Sequence, residues 1–181
     1  PIQGGAGTTA NMNANEVIAN RAIEILGGEK GDYSIVNPND HVNRAQSTND
    51  VIPTAAKLTT VKLLRKALVQ LERLEKTLAD KELEFHDVIK MGRTQMQDAV
   101  PIRLGAEFGA YRKAIQRDIA RLKHAKEEMY PINLGGTVIG TMLNANHDYV
   151  LALAPKLAEI SGIPVVMAED LVDGTQNLDS F

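Results

Sequence analysis

The sequence predicts an all-α fold made of long antiparallel helices. From Thr54 to about Glu84, apolar residues recur at steps of three and four with no glycine or proline between them, which is the period of an amphipathic bundle helix. Its positions are Leu58, Val61, Leu64, Leu68, Leu71, Leu74 and Leu78. A second stripe with this period follows Pro101, at Leu104, Phe108, Tyr111, Ile115, Ile119, Leu122 and Met129. No segment alternates convincingly as a strand does, and the one β-leaning stretch, 163–167, is short.

Taken in order, the elements begin with a helix over Glu16–Leu26. Its apolar residues are Val17, Ile18, Ala22, Ile25 and Leu26, and the following Gly27-Gly28 supplies a stop. The two long helices come next, the second ending before Pro131. A further helix is expected from about Tyr149 to Ile160, where Ser161-Gly162 ends it.

Composition excludes several classes of protein and of site. Of the 181 residues, 44% are apolar and 24% are charged, which is typical of a globular protein rather than a disordered one. The net charge of −3 gives no basic excess for nucleic acid or an acidic membrane surface. There is no cysteine, hence no disulfide, thiolate metal site or cysteine nucleophile in this chain. An intracellular, cytoplasmic location fits this composition.

Two polar clusters precede predicted helices. Gly4–Asn13 is a glycine-rich loop whose backbone N–H groups and following helix dipole suit an anion such as a carboxylate. The alternative is a plain loop with a Thr or Asn cap. Gln46–Asp50 places hydroxyls and an amide at the start of the longest helix. Such groups can bind a carboxylate, but they are also the preferred helix caps.

Two further clusters lie between helices. Gly92–Pro101 is expected at the end of the bundle, a usual place for a site, or else it is an inter-helix loop with a structural Arg–Asp pair. Asn133–Thr137 has paired glycines that allow close backbone approach or simple packing. The four histidines show no metal-ligand spacing. From the residues alone the chemistry therefore stays open.

Together and in this order, the four clusters are much more specific than any one of them. The segments GAGTTANMNANEVIANRAIEILGG, PNDHVNRAQSTNDVIPTA, GRTQMQDAVPIRLGAEF and NLGGTVIGTMLNA resemble the N-terminal and central regions of the aspartase/fumarase superfamily. The similarity extends over essentially the whole chain and is greater to the aspartase branch than to the class II fumarase branch. It implies that residues 1–48 end the family's N-terminal domain and that residues 49–181 begin its central helical-bundle domain.

The resemblance also implies an activity and a site. Family members are homotetramers with active sites built from three subunits, and they eliminate ammonia or water from a dicarboxylate to give fumarate. Here it implies anti elimination of ammonia from L-aspartate, without an organic cofactor and with no metal ligands visible. Thr8, Ser47 and Thr48 would bind the carboxylate beside the carbon that loses its proton, and Thr94 the other carboxylate. Asn49 and Gln95 would face the amino group.

The chain also departs from the family pattern. The family's catalytic base is a serine in a flexible loop, followed by a PGKVNP-type segment, and neither is present. We therefore interpret the chain as part of a longer protein that is inactive by itself. Gln95 stands where many relatives have histidine, and Asn37 where fumarases often have histidine in a secondary anion site. The alternatives are a malate-specific fumarase and a non-catalytic helical oligomerisation module.

Overall fold

The computed structural model describes residues 5–181, most of which are helical. The helices are α1 (Thr8–Ile25), α2 (Thr48–Glu84), α3 (Leu104–Glu128), α4 (His147–Ser161) and α5 (Leu171–Gln176). A 3-10 turn at Gly5–Gly7 precedes α1, and a π-type turn, Pro38–Val42, precedes α2. The strands are β1 (Ile89–Thr94), β2 (Gln97–Arg103), β3 (Pro131–Ile132) and β4 (Val166–Met167). The predicted all-α class is confirmed, with two small two-stranded sheets added to it.

The chain divides into two compact units. The first contains the described residues up to Thr60 together with Glu128–Phe181, and the second is Val61–Glu127. Helix α2 therefore contributes its first turns to one unit and the rest of its length to the other. The predicted boundary after residue 48 stays a prediction. Among residues 5–181, no helix is long and apolar enough to cross a membrane.

The two long helices are confirmed, and in the second unit polar pairs join them. Arg112 of α3 donates to Glu75 (2.7 Å) and Glu82 (3.0 Å) of α2, and Gln116 donates to Glu75 (2.8 Å). Arg112 and Gln116 hold the pKa of Glu75 below its ordinary range. Gly105 is required near this contact, since a Cβ there would lie 2.5 Å from the backbone oxygen of Glu82.

Helix α2 begins six residues earlier than predicted, at Thr48 rather than Thr54. Pro53 directly precedes the predicted start, a position where the missing N–H of proline has little effect. It lies instead in the second turn, so the carbonyl oxygen of Asn49 lacks the N–H that residue 53 would otherwise donate to it. The side-chain amide of Asn133 donates to that oxygen at 3.1 Å. A contact from elsewhere in the chain therefore makes the earlier start possible.

Helix α1 also begins earlier than predicted, and it buries a different face. The predicted apolar positions Val17, Ile18, Ile25 and Leu26 are 53–71% exposed in this chain. The buried residues are Asn11, Asn15, Ala19 and Ile23, which lie on one face at intervals of four. The expected loop of residues 4–13 is correct for Gly5–Gly7 but wrong from Thr8 onward; Gly4 lies outside the described residues.

The predicted loop around residues 92–101 is a β-hairpin. Strands β1 and β2 pair antiparallel, with Thr94 opposite Gln97. The expected Arg–Asp pair is present in it, with 3.0 Å between Arg93 Nε and Asp98 Oδ1. The two turn residues, Gln95 and Met96, have φ angles of 49° and 63°. This left-handed pair matches the two-residue hairpin turn that normally uses Asn-Gly, so the turn holds backbone strain.

Candidate functional site

The side chains of Ser47 and Asp50 together cap the start of α2. The backbone N–H of Ser47 donates to Asp50 Oδ1 at 3.0 Å, and the backbone N–H of Asn49 donates to Ser47 Oγ at 3.2 Å. A residue three positions into the helix that bonds back to the capping residue is the capping-box arrangement. Because Ser47 Oγ accepts a bond from its own helix, its proton remains available to donate to another group.

Thr48 is placed in the same way by a bond from α1. The side-chain amide of Asn11 donates to Thr48 Oγ1 at 3.2 Å. The Thr48 side chain is half-buried and lines a cavity of about 260 Å³ together with Ala6 and Asn49. Two adjacent hydroxyls, Ser47 and Thr48, therefore accept bonds from the chain and keep their protons for a ligand. Such a pair at a helix N-terminus suits an anion.

Asn49 presents the opposite polarity. Its Nδ2 donates to the backbone oxygen of Val138 at 2.8 Å, and its side chain is exposed. This bond uses one of the two Nδ2 protons, so Asn49 can offer its carbonyl oxygen Oδ1, as well as the second N–H, to a ligand. A carbonyl oxygen accepts hydrogen bonds and therefore suits an ammonium group. The start of α2 thus offers donors at two positions and an acceptor at the next.

Asp50 fastens this helix start to the segment that follows β3. Its side chain is fully buried, and its Oδ2 accepts from the backbone N–H groups of Gly135 (3.1 Å) and Thr137 (2.9 Å). Burial raises the pKa of the Asp50 carboxyl, while the N–H donors of Ser47, Thr137 and Gly135 act in the opposite direction. All these partners are donors, so they match an ionised carboxylate. Asp50 therefore holds the start of α2 against the segment of Gly135 and Thr137.

Thr137 has an unusual conformation at this junction. Its φ is 60°, which is rare for a β-branched residue, and its buried hydroxyl has no hydrogen-bond partner among the described residues. Asn133, 3% exposed, donates to Asn49 O and to Thr175 Oγ1 at 3.1 Å each. These contacts agree with a supporting role for Asn133 and Thr137, neither of which was among the predicted substrate-binding residues.

Thr8 lies in the first turn of α1, exposed to solvent. The residue before it, Gly7, caps the helix with a φ of 82°. A Cβ on Gly7 would lie 2.9 Å from Ile52 of α2, so only glycine allows this close approach. Ala6 lines the same cavity as Thr48 and Asn49. The starts of α1 and α2 are therefore neighbours within the first unit, and Thr8 belongs to that region.

Thr94 and Gln95 lie in the second unit. Thr94 ends β1, and Gln95 is the first residue of the strained turn. Both side chains are exposed in this chain. The predicted site residues therefore form two sets in different units: Thr8 with Ser47, Thr48 and Asn49, and Thr94 with Gln95. Among residues 5–181, no cluster of three or more histidine, aspartate or glutamate residues could hold a metal ion; the expectation of no cofactor stays a prediction.

Three further supporting residues were not predicted as site residues: Asn11, Asn43 and Asp50. A sequence signal existed only for Asp50, because Ser47 and an acidic residue three positions later form a capping-box pattern. The roles of Asn11 and Asn43 depend on contacts between distant segments, which no local pattern indicates.

A fold of long helices whose starts carry hydroxyl and amide groups defines a class of helical protein with a candidate site for a small anion. The sequence model of a family described as Lyase matches residues 1–181. The chain belongs to this lyase family.

Individual relatives agree with the family. The chain is 55% identical over 181 residues to an aspartate ammonia-lyase of Bacillus subtilis (100% of this chain, 38% of the relative). It is 44% identical over 179 residues to one of Escherichia coli K12 (99% and 37%). The chain thus spans about 38% of the length of the curated relatives it matches.

Solved structures give the same result. A fumarate lyase:delta crystallin from Brucella melitensis, bound to cobalt, matches with a TM-score of 0.93 and 48% identity, over 98% of this chain and 39% of that one. A class II fumarase from Schistosoma mansoni matches with a TM-score of 0.92 and 34% identity, over 98% and 40%. The predicted resemblance to the aspartase/fumarase proteins is confirmed.

Proposed function

We propose that the protein is an aspartate ammonia-lyase, which converts L-aspartate to fumarate and ammonia by anti elimination. The observation that carries this proposal is the 55% identity to the Bacillus subtilis aspartate ammonia-lyase over the whole chain. The arrangement of polar groups at the start of α2 supports it. Two hydroxyl donors for a carboxylate stand beside the carbonyl oxygen of Asn49, which suits an ammonium group.

The proposed roles follow the charges of the substrate. Thr8, Ser47 and Thr48 bind the carboxylate next to the carbon that loses its proton. Negative charge builds on this carboxylate during the elimination, and donors fixed before the reaction lower the barrier. Thr94 holds the other carboxylate. Asn49 and Gln95 orient the amino group, and the proposed base is supplied from outside these 181 residues.

The proposed assembly is a homotetramer in which subunits share active sites. Its support is that the proposed substrate residues fall in two separate units, and that α2 leaves apolar side chains such as Leu63 (59%) and Leu83 (75%) exposed. We also propose a cytoplasmic location and no organic cofactor.

Mixing two impaired variants tests the shared site. Thr48→Val and Thr94→Val subunits of the complete protein, unfolded together and refolded, are expected to recover several-fold more activity than either variant refolded alone. Random association of subunits would create some sites that take Thr48 from a Thr94→Val subunit and Thr94 from a Thr48→Val subunit, and these sites contain both threonines. A mixture no more active than the separate variants would mean that both residues of a site come from one subunit.

The choice of substrate is tested by assaying fumarate formation from L-aspartate and L-malate side by side. We expect a much higher kcat/KM for aspartate. Hydroxide is a poor leaving group and benefits from a proton donor, whereas the amine of aspartate is already protonated and departs as neutral ammonia. Asn49 and Gln95 accept hydrogen bonds and do not titrate near neutral pH, so they suit ammonia better.

The second candidate function is that of a class II fumarase, which the 34% identity to the Schistosoma mansoni enzyme keeps open. An equal or higher kcat/KM for malate would overturn the aspartate proposal in its favour. Gln95→His is the informative companion variant, because histidine can both accept a hydrogen bond and donate a proton. We expect it to raise the activity on malate relative to that on aspartate.

A further inference from the structure

A chain of buried amides connects the interior of α1 to the hydroxyl of Thr48. Asn11 and Asn15 are each 4% exposed, and the Nδ2 atoms of both donate to Asn43 Oδ1, at 3.2 and 2.9 Å. Asn11 Nδ2 also donates to Thr48 Oγ1 at 3.2 Å. Both protons of the Asn11 amide group are therefore used inside the protein, one on Asn43 and one on Thr48.

The direction of these hydrogen bonds is determined at Asn15, the amide of this series that is farthest from Thr48. Asn15 Nδ2 lies 3.7 Å from the sulfur of Met12, and a thioether can only accept. This contact favours the nitrogen of Asn15 on this side, and the nitrogen then donates to Asn43 as well. Because Asn43 presents its oxygen, Asn11 must present its nitrogen. Thr48 consequently receives a hydrogen bond and cannot give its own proton to Asn11.

We propose that Asn11 is a positioning residue that makes the Thr48 hydroxyl a hydrogen-bond donor toward a bound carboxylate. The inference rests on the proposed function, since it assumes that Thr48 binds the substrate. A free hydroxyl can turn either its proton or a lone pair toward a ligand. With Asn11 occupying a lone pair, the proton is directed elsewhere, and the half-buried side chain borders the cavity shared with Asn49.

The test is Asn11→Asp in the complete protein. A carboxylate of the same size only accepts, so the Thr48 hydroxyl would turn its proton toward residue 11 and its lone pairs toward the substrate. We expect kcat/KM for L-aspartate to fall at least 10-fold. Asn11→Leu removes the donor without adding charge and should cause a smaller loss. Thermal melts show whether either variant folds poorly. If one does, the other variant still tests the role of Asn11.

The control is Asn20→Asp on the same helix. It makes the same chemical change at an amide that donates to Glu16 O and accepts from Gly31 N, away from Thr48. We expect kcat/KM to stay within 2-fold of wild type. Asn11→Asp is then repeated in a Thr48→Val background, where it should lower kcat/KM much less than in the wild type. A purely structural role of Asn11 would give equal losses in both backgrounds.

Different outcomes separate this inference from the proposed function. Wild-type protein that forms no fumarate from L-aspartate would contradict the function. Normal wild-type activity with equal losses for Asn11→Asp in both backgrounds would overturn the role of Asn11 alone. Binding of succinate, an unreactive dicarboxylate, measured by calorimetry, gives the same comparison without turnover. Weaker binding to Asn11→Asp than to Asn20→Asp is expected, and equal binding would overturn the inference.

Discussion

Asp50→Ala is expected to lower the free energy of unfolding of the complete protein by about 3 kcal/mol, at a fixed protein concentration. The substitution leaves the N–H groups of Ser47, Gly135 and Thr137 without their acceptor, and the bonds from Gly135 and Thr137 are buried. Each such group costs about 1–3 kcal/mol when unsatisfied. Removing the carboxylate also removes the cost of its burial, so the losses do not simply add.

Two comparison variants sharpen the measurement. Asp50→Asn keeps one acceptor oxygen and is expected to destabilise the protein less than Asp50→Ala. Only the hydrogen bonds to the other carboxylate oxygen are lost. Asp170→Ala removes an exposed capping carboxylate at the start of α5 and is expected to cost about 1 kcal/mol. Chemical denaturation followed by circular dichroism measures all three. An Asp50→Ala loss no larger than that of Asp170→Ala would contradict the role of Asp50.

The free energy of unfolding is also expected to depend on pH through Asp50. Burial raises the pKa of Asp50 in the folded protein. In the unfolded chain the pKa of an aspartate is about 3.9. Between these two values the folded state holds a proton that the unfolded state has lost. Stability therefore falls as the pH rises through this window. Relative to Asp50→Asn, the free energy of unfolding of the wild type should therefore decrease as the pH rises from the unfolded pKa through the folded pKa.

The two long helices could be predicted because their evidence is local. From Leu58 to Leu78 the apolar period, the helix-forming residues and the absence of glycine and proline all agree. The start of α2 shows the limit of such evidence. Pro53 indicates a start near Thr54, yet the helix begins at Thr48, because Asn133 binds the carbonyl that Pro53 leaves free. That contact comes from a segment more than eighty residues away.

The start and the buried face of helix α1, as well as the hairpin, could not be predicted, and the reasons differ. The buried face of α1 includes Asn11 and Asn15, whose amides are satisfied by Asn43. Periodicity counts asparagine as outward-facing, so the pattern favoured the opposite side. In the hairpin, nearly every residue of both strands is exposed in this chain, so burial imposes no alternation. Its turn also lacks the glycine that would indicate a hairpin. Gln95 and Met96 adopt the left-handed conformations in its place.

The candidate site was predictable in its residue types but not in its polarity. Capping preference and resemblance both indicated Ser47, Thr48 and Asn49. Which of these groups donate and which accept depends on Asn11 and Val138, and these contacts join distant segments. The assignment of Thr94 and Gln95 to the same site stays a prediction, and the subunit-mixing experiment addresses it.

Thr48→Val and Thr94→Val in the complete protein are each expected to lower kcat/KM for L-aspartate about 10- to 150-fold. This follows from about 1.5–3 kcal/mol for a hydrogen bond to a charged group. Thr59→Val is the matched control on α2, since its exposed hydroxyl donates only to Ala55 O within the helix. Steady-state kinetics and thermal melts are measured on all three. If the two threonines only cap or pair locally, melting temperature falls while kcat/KM of the folded protein stays unchanged.

The two variants should differ in which kinetic constant changes. The carboxylate proposed to bind Thr48 gains charge as the neighbouring carbon loses its proton, so that hydrogen bond strengthens in the transition state. Loss of such a bond lowers kcat. The carboxylate proposed to bind Thr94 keeps the same charge throughout, so Thr94 binds substrate and transition state equally, and its loss raises KM. Thr48→Ser, which keeps the hydroxyl, should retain most of kcat. A Thr48→Val variant with normal kcat and raised KM would assign the two carboxylates the other way round.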